Sequence, residues 1–430
     1  MFIPRSMLLP TSENVFNDML MRTSISQLYI IVTEDCNLRC KYCIFSDNYP
    51  HTHGYSSQKM TFEIAKKAID YYLDLYKEKQ AYGLGSNPVI SFYGGEPLLE
   101  FNLIKEIVKY AKELNDNFEF YITTNGTIMN DEIINFLISN SVKITVSLDG
   151  YKENHDRNRV FINNKRSFDV IIKNLTKLQE EKEKRGSNQP ISFNCCYDNY
   201  TDMVKVVDFF SHARLGGAAT FYAQISPYDT SYYDHCDDLN KKGFIKENID
   251  TKNQSIKKLL EEYKEKLSKN EKVPEPLKFL FTSMFYIKNA PRGQQGPLGN
   301  ACIPGSKIAV APDGNYYLCE KMNETHPIGN VNDGLEWYKI QKIIKDYLEI
   351  IEKNCSNCNV KRLCECCYVH LNMNGDGVFK FNKEFCKENK EGIPLMLKTL
   401  YSLLEKIPNA LSFNDNEKAN LSKDFTLLEL

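Results

Sequence analysis

Between residues 28 and 225 the chain alternates short apolar, β-rich runs with longer amphipathic stretches. The runs lie at 28–32, 89–93, 118–123, 142–148, 191–196 and 220–225. Between them, apolar residues recur at helical spacing. Phe62, Ala65, Ile69, Leu73 and Tyr76 share one face, and so do Leu103, Ile107, Val108, Ala111 and Leu114. Ile133, Phe136 and Leu137 mark a third helix, Phe168, Ile171, Ile172, Leu175 and Leu178 a fourth, and Met203, Val206, Val207 and Phe210 a fifth. Strands alternating with helices predict parallel β/α units. Periodicity alone does not choose between a partly closed barrel and an open sheet. In either, the C-terminal strand ends and the loops after them form the active face.

The rest of the chain reads differently. Residues 1–25 are a lead-in without a clear period, followed by the β/α region at 26–225. Residues 226–300 are polar and Lys/Glu-rich, with a helix predicted at 255–269 and a glycine/proline stretch at 291–299, and read as a bridge. Residues 301–390 set many cysteines among turn residues with few long periodic runs, which suits a small metal-stapled module. A helix is predicted at 394–405, within a C-terminal segment 391–430 that ends in a polar tail. A length of 430 residues favours two domains or one large barrel. The Lys/Glu runs at 177–185 and 257–272 read as solvated helix faces.

Charge and hydropathy narrow the class. A net charge of −2 points to neither nucleic acid nor an anionic membrane. No apolar run approaches the roughly 20 residues of a membrane span, and the start has too short an apolar region for a secretory signal. The expectation is a cytoplasmic protein. In that reducing compartment, 14 cysteines imply metal or redox chemistry rather than disulfides. They are clustered: three at 36–43 and eight between 302 and 386, with Cys195, Cys196 and Cys236 apart.

Cys36, Cys40 and Cys43 follow the first apolar run, spaced C-x3-C-x2-C. Three thiolates on one loop can grip three corners of a four-iron cluster and leave one iron open. A zinc loop completed by His51 or His53, or simply buried thiols, is the plainer alternative. With Tyr42 before its third cysteine, the loop resembles the signature of radical S-adenosylmethionine (SAM) enzymes. The resemblance implies a [4Fe-4S] cluster whose open iron binds SAM and, once reduced, cleaves it to methionine and a 5′-deoxyadenosyl radical. The protein orients these cofactors and excludes competing reactions. Tyr93-Gly94-Gly95-Glu96-Pro97, after the second run, resembles the family's loop for the SAM amino group. There Gly94 and Gly95 permit close backbone approach and Glu96 accepts from the ammonium. Asn125, at the end of the third run, is placed with the cofactor-binding residues. The resemblance makes Ser147 a partner of the SAM ribose, Arg159 a neighbour of its carboxylate, and Asn194 a residue facing the nucleoside. His155 and Asp156 read equally well as loop scaffolding.

The second cysteine group begins at Cys302, followed by eleven residues, Gly314, four more and Cys319. Then come Cys355-x2-Cys358-x5-Cys364, Cys366, Cys367 and Cys386. Residues 308–318 read as a hairpin turning at Pro312-Asp313-Gly314, which would bring Cys302 and Cys319 together. A zinc ribbon is one reading of the paired cysteines. The set closely resembles the SPASM domain, which carries two auxiliary four-iron clusters. That resemblance implies Cys355, Cys358, Cys364 and Cys386 on an outer cluster and Cys302 and Cys319 on an inner one. Tyr368 stands where the family's next ligand falls, so Cys367 is taken as the third inner ligand, with Cys366 the alternative. The fourth inner position is open, or filled by Cys236 or by a substrate thiolate. Of Cys195 and Cys196, alternation turns one inward. Both suit small buried hydrophobes, and the inward one could otherwise contact substrate or ligate. Glu320 follows Cys319 where some family members carry a catalytic base.

The resemblance therefore implies an α/β fold, a partial (β/α)6 TIM-like barrel with a C-terminal iron–sulfur SPASM module. It implies three [4Fe-4S] clusters, one binding SAM and two auxiliary. The expected activity is maturation of a ribosomally made precursor peptide by Cys thioether crosslinking. In that scheme a peptide cysteine occupies the open inner position, hydrogen is taken from a carbon of the acceptor residue, and the surplus electron leaves through the auxiliary clusters. A reductant such as flavodoxin or ferredoxin is implied. Only about 25 residues precede the barrel, so a separate leader-peptide-binding protein or another surface is expected to hold the precursor. The alternatives are an anaerobic sulfatase-type formylglycine maturase, a carbon–carbon crosslinking enzyme or epimerase, and a non-catalytic iron–sulfur or zinc protein.

Overall fold

The computed structural model describes residues 27–46, 48–49, 54–81, 87–215, 217–225, 230–281, 301–302, 304–322, 324–364, 366–371, 377–408 and 410. The lead-in 1–25, His51, His53, the 291–299 stretch and the tail beyond residue 410 lie outside them. The apolar runs form β1 (Gln27–Thr33), β2 (Val89–Gly94), β3 (Glu119–Thr124), β4 (Lys143–Ser147), β5 (Ile191–Tyr197) and β6 (Gly217–Gln224). The helices between them are α1 (Phe62–Gln80), α2 (Phe101–Leu114), α3 (Asp131–Ser139), α4 (Lys152–Asn158), α5 (Phe168–Lys184) and α6 (Met203–His212). Side-chain caps start several of them. Thr61 accepts from the Ile64 N–H, Asn130 from that of Ile133, and Asp202 from that of Val204. Each such cap stabilises its helix by about 1 kcal/mol.

Strand order settles the question periodicity left open. The six strands pair parallel in sequential order, β1-β2-β3-β4-β5-β6, with no reversal. A doubly wound sheet would reverse its order at a switch point. Sequential winding curls the sheet instead, and because β6 does not pair with β1 the barrel stays partial. Alternation then sorts the side chains. Ile122, Ile144, Val146 and Phe193 join Ile107, Leu137, Leu175 and Val206 of the helices in one buried core. On the opposite face Tyr121, Thr145, Ser147 and Asn194 are only partly buried, and this polar face lines the barrel interior.

The free side of β1 pairs parallel with β7 (Lys307–Val310), which turns back into β8 (Asn315–Tyr317). The turn expected at Pro312-Asp313-Gly314 is there, with Gly314 at φ +86°. β9 (Gly329–Asn330) and β10 (Gly334–Leu335) complete a ten-stranded sheet. Ile308, Val310 and Tyr316 belong to the barrel's own core, and Tyr71 of α1 stacks on Tyr316 with centroids 5.6 Å apart. The cysteine-rich region thus begins as a continuation of the barrel sheet.

Further helices among the described residues include α7 (Tyr232–Lys241), α8 (Thr251–Ser268), α9 (Trp337–Cys355), the single turn α10 (Tyr368–Leu371) and α11 (Lys383–Lys406). Three of them depart from the sequence reading. α9 buries Ile340, Ile343, Ile344, Tyr347 and Ile351, a helical stripe within a region read as having few periodic runs. α7 was not expected in the bridge. α11 starts eleven residues earlier than the predicted 394, capped by Asn382, and carries Pro394 in its interior. Proline favours the first helical turn, which drew the predicted start to 394; packing of Ile393, Leu400 and Leu403 holds the longer helix. Among the described residues no helix is long and apolar enough to cross a membrane.

Candidate active site

The three-cysteine loop leaves β1 at its C-terminal end and is braced from two sides. On one side lies the double glycine. The Gly95 N–H donates to the Thr33 carbonyl and the Glu96 N–H to the Asp35 carbonyl, both at 2.9 Å. A Cβ on Gly94 would meet the Thr33 oxygen at 2.2 Å, and one on Gly95 the Asp35 oxygen at 2.1 Å. Gly94 also sits at φ +140°, which only glycine adopts readily. These glycines were expected to admit a ligand; the close approach the structure shows is that of the cysteine loop itself. On the other side, the backbone of 158–162 runs beside the loop. The Arg39 N–H donates to the Val160 carbonyl at 2.7 Å and the Lys41 N–H to the Asn158 carbonyl at 3.0 Å.

Cys36 and Cys40 are buried and Cys43 is half-buried. Burial, then the Glu96 charge, pushes the Cys36 thiol up to about 12, and burial pushes Cys40 up as well. Two donors already face the Cys36 sulfur: the Leu38 N–H at 3.4 Å and the Asn125 side-chain amide at 3.8 Å. Asn125 also donates to Asn37 at 2.9 Å, so its visible work is to hold the loop.

Tyr42 reaches into a buried polar network. Its hydroxyl donates to Asp149 and accepts from Arg159 Nη1 at 2.7 Å. Asp149 also accepts from the Cys196 N–H at 3.0 Å. Arg159 is 7% exposed, and its Nε has no hydrogen-bond partner among the described residues. Burial opposes its charge, but Cys40, Tyr42 and Asp149 hold the guanidinium protonated. His155 and Asp156 take the scaffolding role. His155 Nδ1 accepts from the Asp149 N–H at 3.3 Å and its Nε2 meets Ser167 Oγ at 3.0 Å. Asp156 accepts from the Ser167 and Phe168 amides at the start of α5. Glu96 is fully buried; it accepts from Thr124 Oγ1 and the Asn125 N–H, each at 2.7 Å, and from the Leu98 N–H at 3.0 Å. A carboxylate offers about four lone-pair sites, so one acceptor position remains. Ser147 and Asn194 pair in register on the interior face of β4 and β5. Cys196 lies on that same face, while Cys195 is fully buried in the helix-facing core.

The later cysteines fall into two groups. Cys355, Cys358, Cys364, Cys366 and Cys386 line one cavity, walled by Tyr347, Ile351, Leu371 and Phe385. Cys302, Cys319 and Cys367 form the other, nearer the barrel. Burial pushes Cys302 up to about 11 and Cys319 up to about 12, and both also feel Cys367, Lys307 and Glu320. Cys366 feels Cys364, Cys367, Cys355 and Cys386. Cys367 Sγ contacts His370 Nδ1 at 3.4 Å, which draws its thiol down against the effect of burial. Cys236 joins neither group: it is buried among Tyr42, Tyr200 and Tyr232, with its thiol toward Asp198.

Glu320 is buried. Burial would raise its pKa, but Lys307, with Nζ 3.6 Å from Oε2, and Lys321 draw it below the ordinary carboxylate value. Lys307 also lies over the Tyr29 ring, 4.5 Å from its centroid. After burial, the groups acting most on Tyr93 are Glu320, Cys43, Tyr29 and Cys196. Two segments far apart in sequence therefore meet in the barrel interior, with Cys43 on one side and Glu320 and Cys319 on the other.

Residues 30–191 match the family model described as the Radical SAM superfamily. Those residues form a radical SAM domain. An uncharacterised protein of Methanocaldococcus jannaschii is 27% identical over 72% of this chain and 90% of its own length. A cysteine-type anaerobic sulfatase-maturating enzyme of Clostridium novyi is 32% identical over 37% of this chain and 41% of its own. The radical SAM cyclopropyl synthase TigE of Paramaledivibacter caminithermalis is 24% identical over 79% and 67%. Among solved structures, anSMEcpe with bound AdoMet superposes with a TM-score of 0.63 at 20% identity, covering 93% of this chain and 98% of that one. Streptococcus suis SuiB bound to precursor peptide SuiA does so with a TM-score of 0.53 at 15% identity, covering 87% and 79%. At such identities the superpositions establish the shared fold.

A radical SAM domain implies a [4Fe-4S] cluster and SAM, and the residues present suit both. Buried thiols whose pKa values are pushed up ionise only opposite positive charge, as iron would supply. Among the described residues no three Cys, His, Asp or Glu side chains are grouped as ligands of one metal ion, and His51 and His53, the candidate completing ligands of a zinc loop, lie outside those residues. The unpartnered Arg159 Nε is a buried donor suited to an anionic group such as a carboxylate, and the remaining Glu96 acceptor suits an ammonium. Sequence reading of the radical SAM site missed Tyr55, Phe161 and Lys307. The first two lie outside the motif, and Lys307 reaches the interior only through the pairing of β7 with β1.

Proposed function

We propose that this radical SAM enzyme matures a ribosomally made peptide by joining a cysteine sulfur to a carbon of another residue. The observation behind the reading is the inner thiol group. Cys302, Cys319 and Cys367 stand together beside Glu320, while Cys366 lines the outer cavity and Cys236 packs elsewhere. Three protein thiols leave one corner of a four-iron cluster for a substrate thiolate. In this scheme Cys36, Cys40 and Cys43 hold the SAM-binding cluster, and Cys355, Cys358, Cys364 and Cys386 the outer auxiliary one. When bound, clusters and SAM supply a hydrogen-abstracting adenosyl radical. The chain's own residues do the rest. Arg159 and Glu96 grip the charged ends of SAM, Gly94 and Gly95 keep the cysteine loop against that site, and Ser147 and Asn194 face the nucleoside. Glu320, ionised in the interior, takes the proton of the incoming thiol. Net crosslinking removes two hydrogens, one from carbon and one from sulfur. The peptide-bound SuiB structure, with its shared fold, supports a peptide substrate. A flavodoxin or ferredoxin serves as reductant, and a separate protein is a candidate to bind the leader.

A second reading, oxidation of a protein cysteine or serine to formylglycine, is favoured by Glu320 as base and by the sulfatase-maturating relative. Co-expression with a candidate precursor peptide, sought among small open reading frames beside the gene, separates them. The proposal expects a loss of two hydrogens per crosslink and thiols that no longer alkylate. Lost hydrogens with every thiol still alkylatable would refute thioether formation and point to a carbon–carbon bond. An aldehyde in place of a cysteine would establish the second reading.

A further inference from the structure

The cluster loop has an aromatic wall that its motif does not contain. Tyr55 and Phe161 pack against Cys36, Leu38 and Cys40, as Cys43 does. Phe161 is carried by the 158–162 backbone, where it bridges to Leu38. Tyr55 is clamped on its ring. The Arg39 guanidinium carbon lies 4.1 Å from its centroid, and Phe45 stacks at 6.1 Å. Arg39 is itself locked to the loop, donating from Nη1 to the carbonyls of Cys36 at 2.6 Å and Leu38 at 2.8 Å. The ring therefore moves only if the loop moves. Its hydroxyl lies on the Cys43 side of the loop, within reach of the Cys43, Cys40 and Cys36 side chains.

Hydrogen bonds to ligand sulfur and exclusion of solvent are two levers that set an iron–sulfur potential. A donor on the sulfur draws off negative charge and so favours the reduced, more negative cluster. We propose that Tyr55 is a positioning residue of the radical SAM cluster, which places a hydroxyl on the Cys43 sulfur to raise the cluster's potential and a ring across the loop to shield it from oxidants. The inference rests on Cys36, Cys40 and Cys43 being the ligands. The hydroxyl and the ring have separable effects, since Tyr55→Phe removes the first alone and Tyr55→Leu removes both.

The test uses the full chain, reconstituted anaerobically, with iron counted per chain. A redox titration follows the paramagnetic signal that added SAM perturbs, which isolates this cluster from any others. Tyr55→Phe is expected to keep its iron and to titrate at a more negative potential than wild type. Tyr55→Leu should in addition lose that signal several-fold faster in air. A Tyr55→Phe protein that folds by circular dichroism but lacks about one cluster's iron would support the same role. A Tyr55→Phe midpoint indistinguishable from wild type, with Tyr55→Leu decaying at the wild-type rate, would overturn it. The underlying ligand assignment fails separately. If the combined Cys36→Ala, Cys40→Ala and Cys43→Ala protein keeps the SAM-sensitive signal, those cysteines are not the ligands, and the role of Tyr55 falls with them.

Discussion

Replacing Gly95 by alanine tests whether the double glycine serves the cysteine loop. The new Cβ would lie 2.1 Å from the Asp35 oxygen, 2.6 Å from its carbon and 2.9 Å from the Glu34 oxygen, all backbone atoms. No side chain can swing away, so β2 and the loop must part by about 1 Å to reach ordinary contact. That movement strains the bonds from Gly95 N–H to Thr33 O and from Glu96 N–H to Asp35 O. Each is worth about 1 kcal/mol, and overpacking adds roughly 1–3 kcal/mol. The expected cost is about 3–5 kcal/mol, a large part of a typical stability of about 5–15 kcal/mol. Thermal unfolding followed by circular dichroism should show the midpoint falling by roughly 3–6 °C. Iron at the first site and SAM cleavage should fall with it, because the displaced loop carries Cys36. Gly392→Ala is the control. Gly392 lies inside α11 with nothing within 4 Å of a new Cβ, so alanine should stabilise by about 0.5–1 kcal/mol. A Gly95→Ala protein that melts within about 1 °C of wild type and loads its SAM-site iron would refute the reasoning.

Two further outcomes follow from the thiol groups and the buried histidine. Cys367→Ser should cost the inner cluster, whereas Cys366→Ser should leave iron per chain unchanged, because the outer cavity holds five thiols for four corners; iron analysis and Mössbauer spectra decide, and equal losses would refute the grouping. His155 is held neutral, with its pKa lowered well below the usual imidazole value by burial and then by Arg159. The unfolded chain binds the extra proton first, so this contribution is complete above about pH 6.5 and is lost as pH falls below it. His155→Gln should flatten the dependence of the melting temperature on pH between about 5 and 7, and an unchanged slope would refute the assignment.

The parallel β/α region was legible because its signals are local. Each strand is a short apolar run and each helix an apolar stripe, and one core consumes both. Helices failed to show where local cues misled. Pro394 looked like a helix start, and the stripe of α9 was overshadowed by the cysteines around it. Strand order was not legible, because which edges meet is fixed by packing between distant segments. The pairing of β1 with β7 is the chief example, since it joins residues about 280 apart and delivers Lys307, Cys319 and Glu320 to the barrel.

The chemistry divides the same way. Sequence by itself pointed to the kind of chemistry, because C-x3-C-x2-C, the glycine–glycine–glutamate turn and the cysteine-rich module resemble the signatures of a known family. Only the tertiary structure decided what those donors face. It turned Gly94 and Gly95 against the cysteine loop, engaged Glu96 with three donors and left it one free acceptor position. It sent Cys195 to the core and Cys196 to the interior, and put Cys366 and Cys367 on different sides of the module. It also brought Tyr55 to Cys43 from outside the motif. Spacing along a chain specifies which atoms are available to a metal or a substrate. Burial, charge and hydrogen bonding from remote segments specify what those atoms can do, and these exist only once the segments have met.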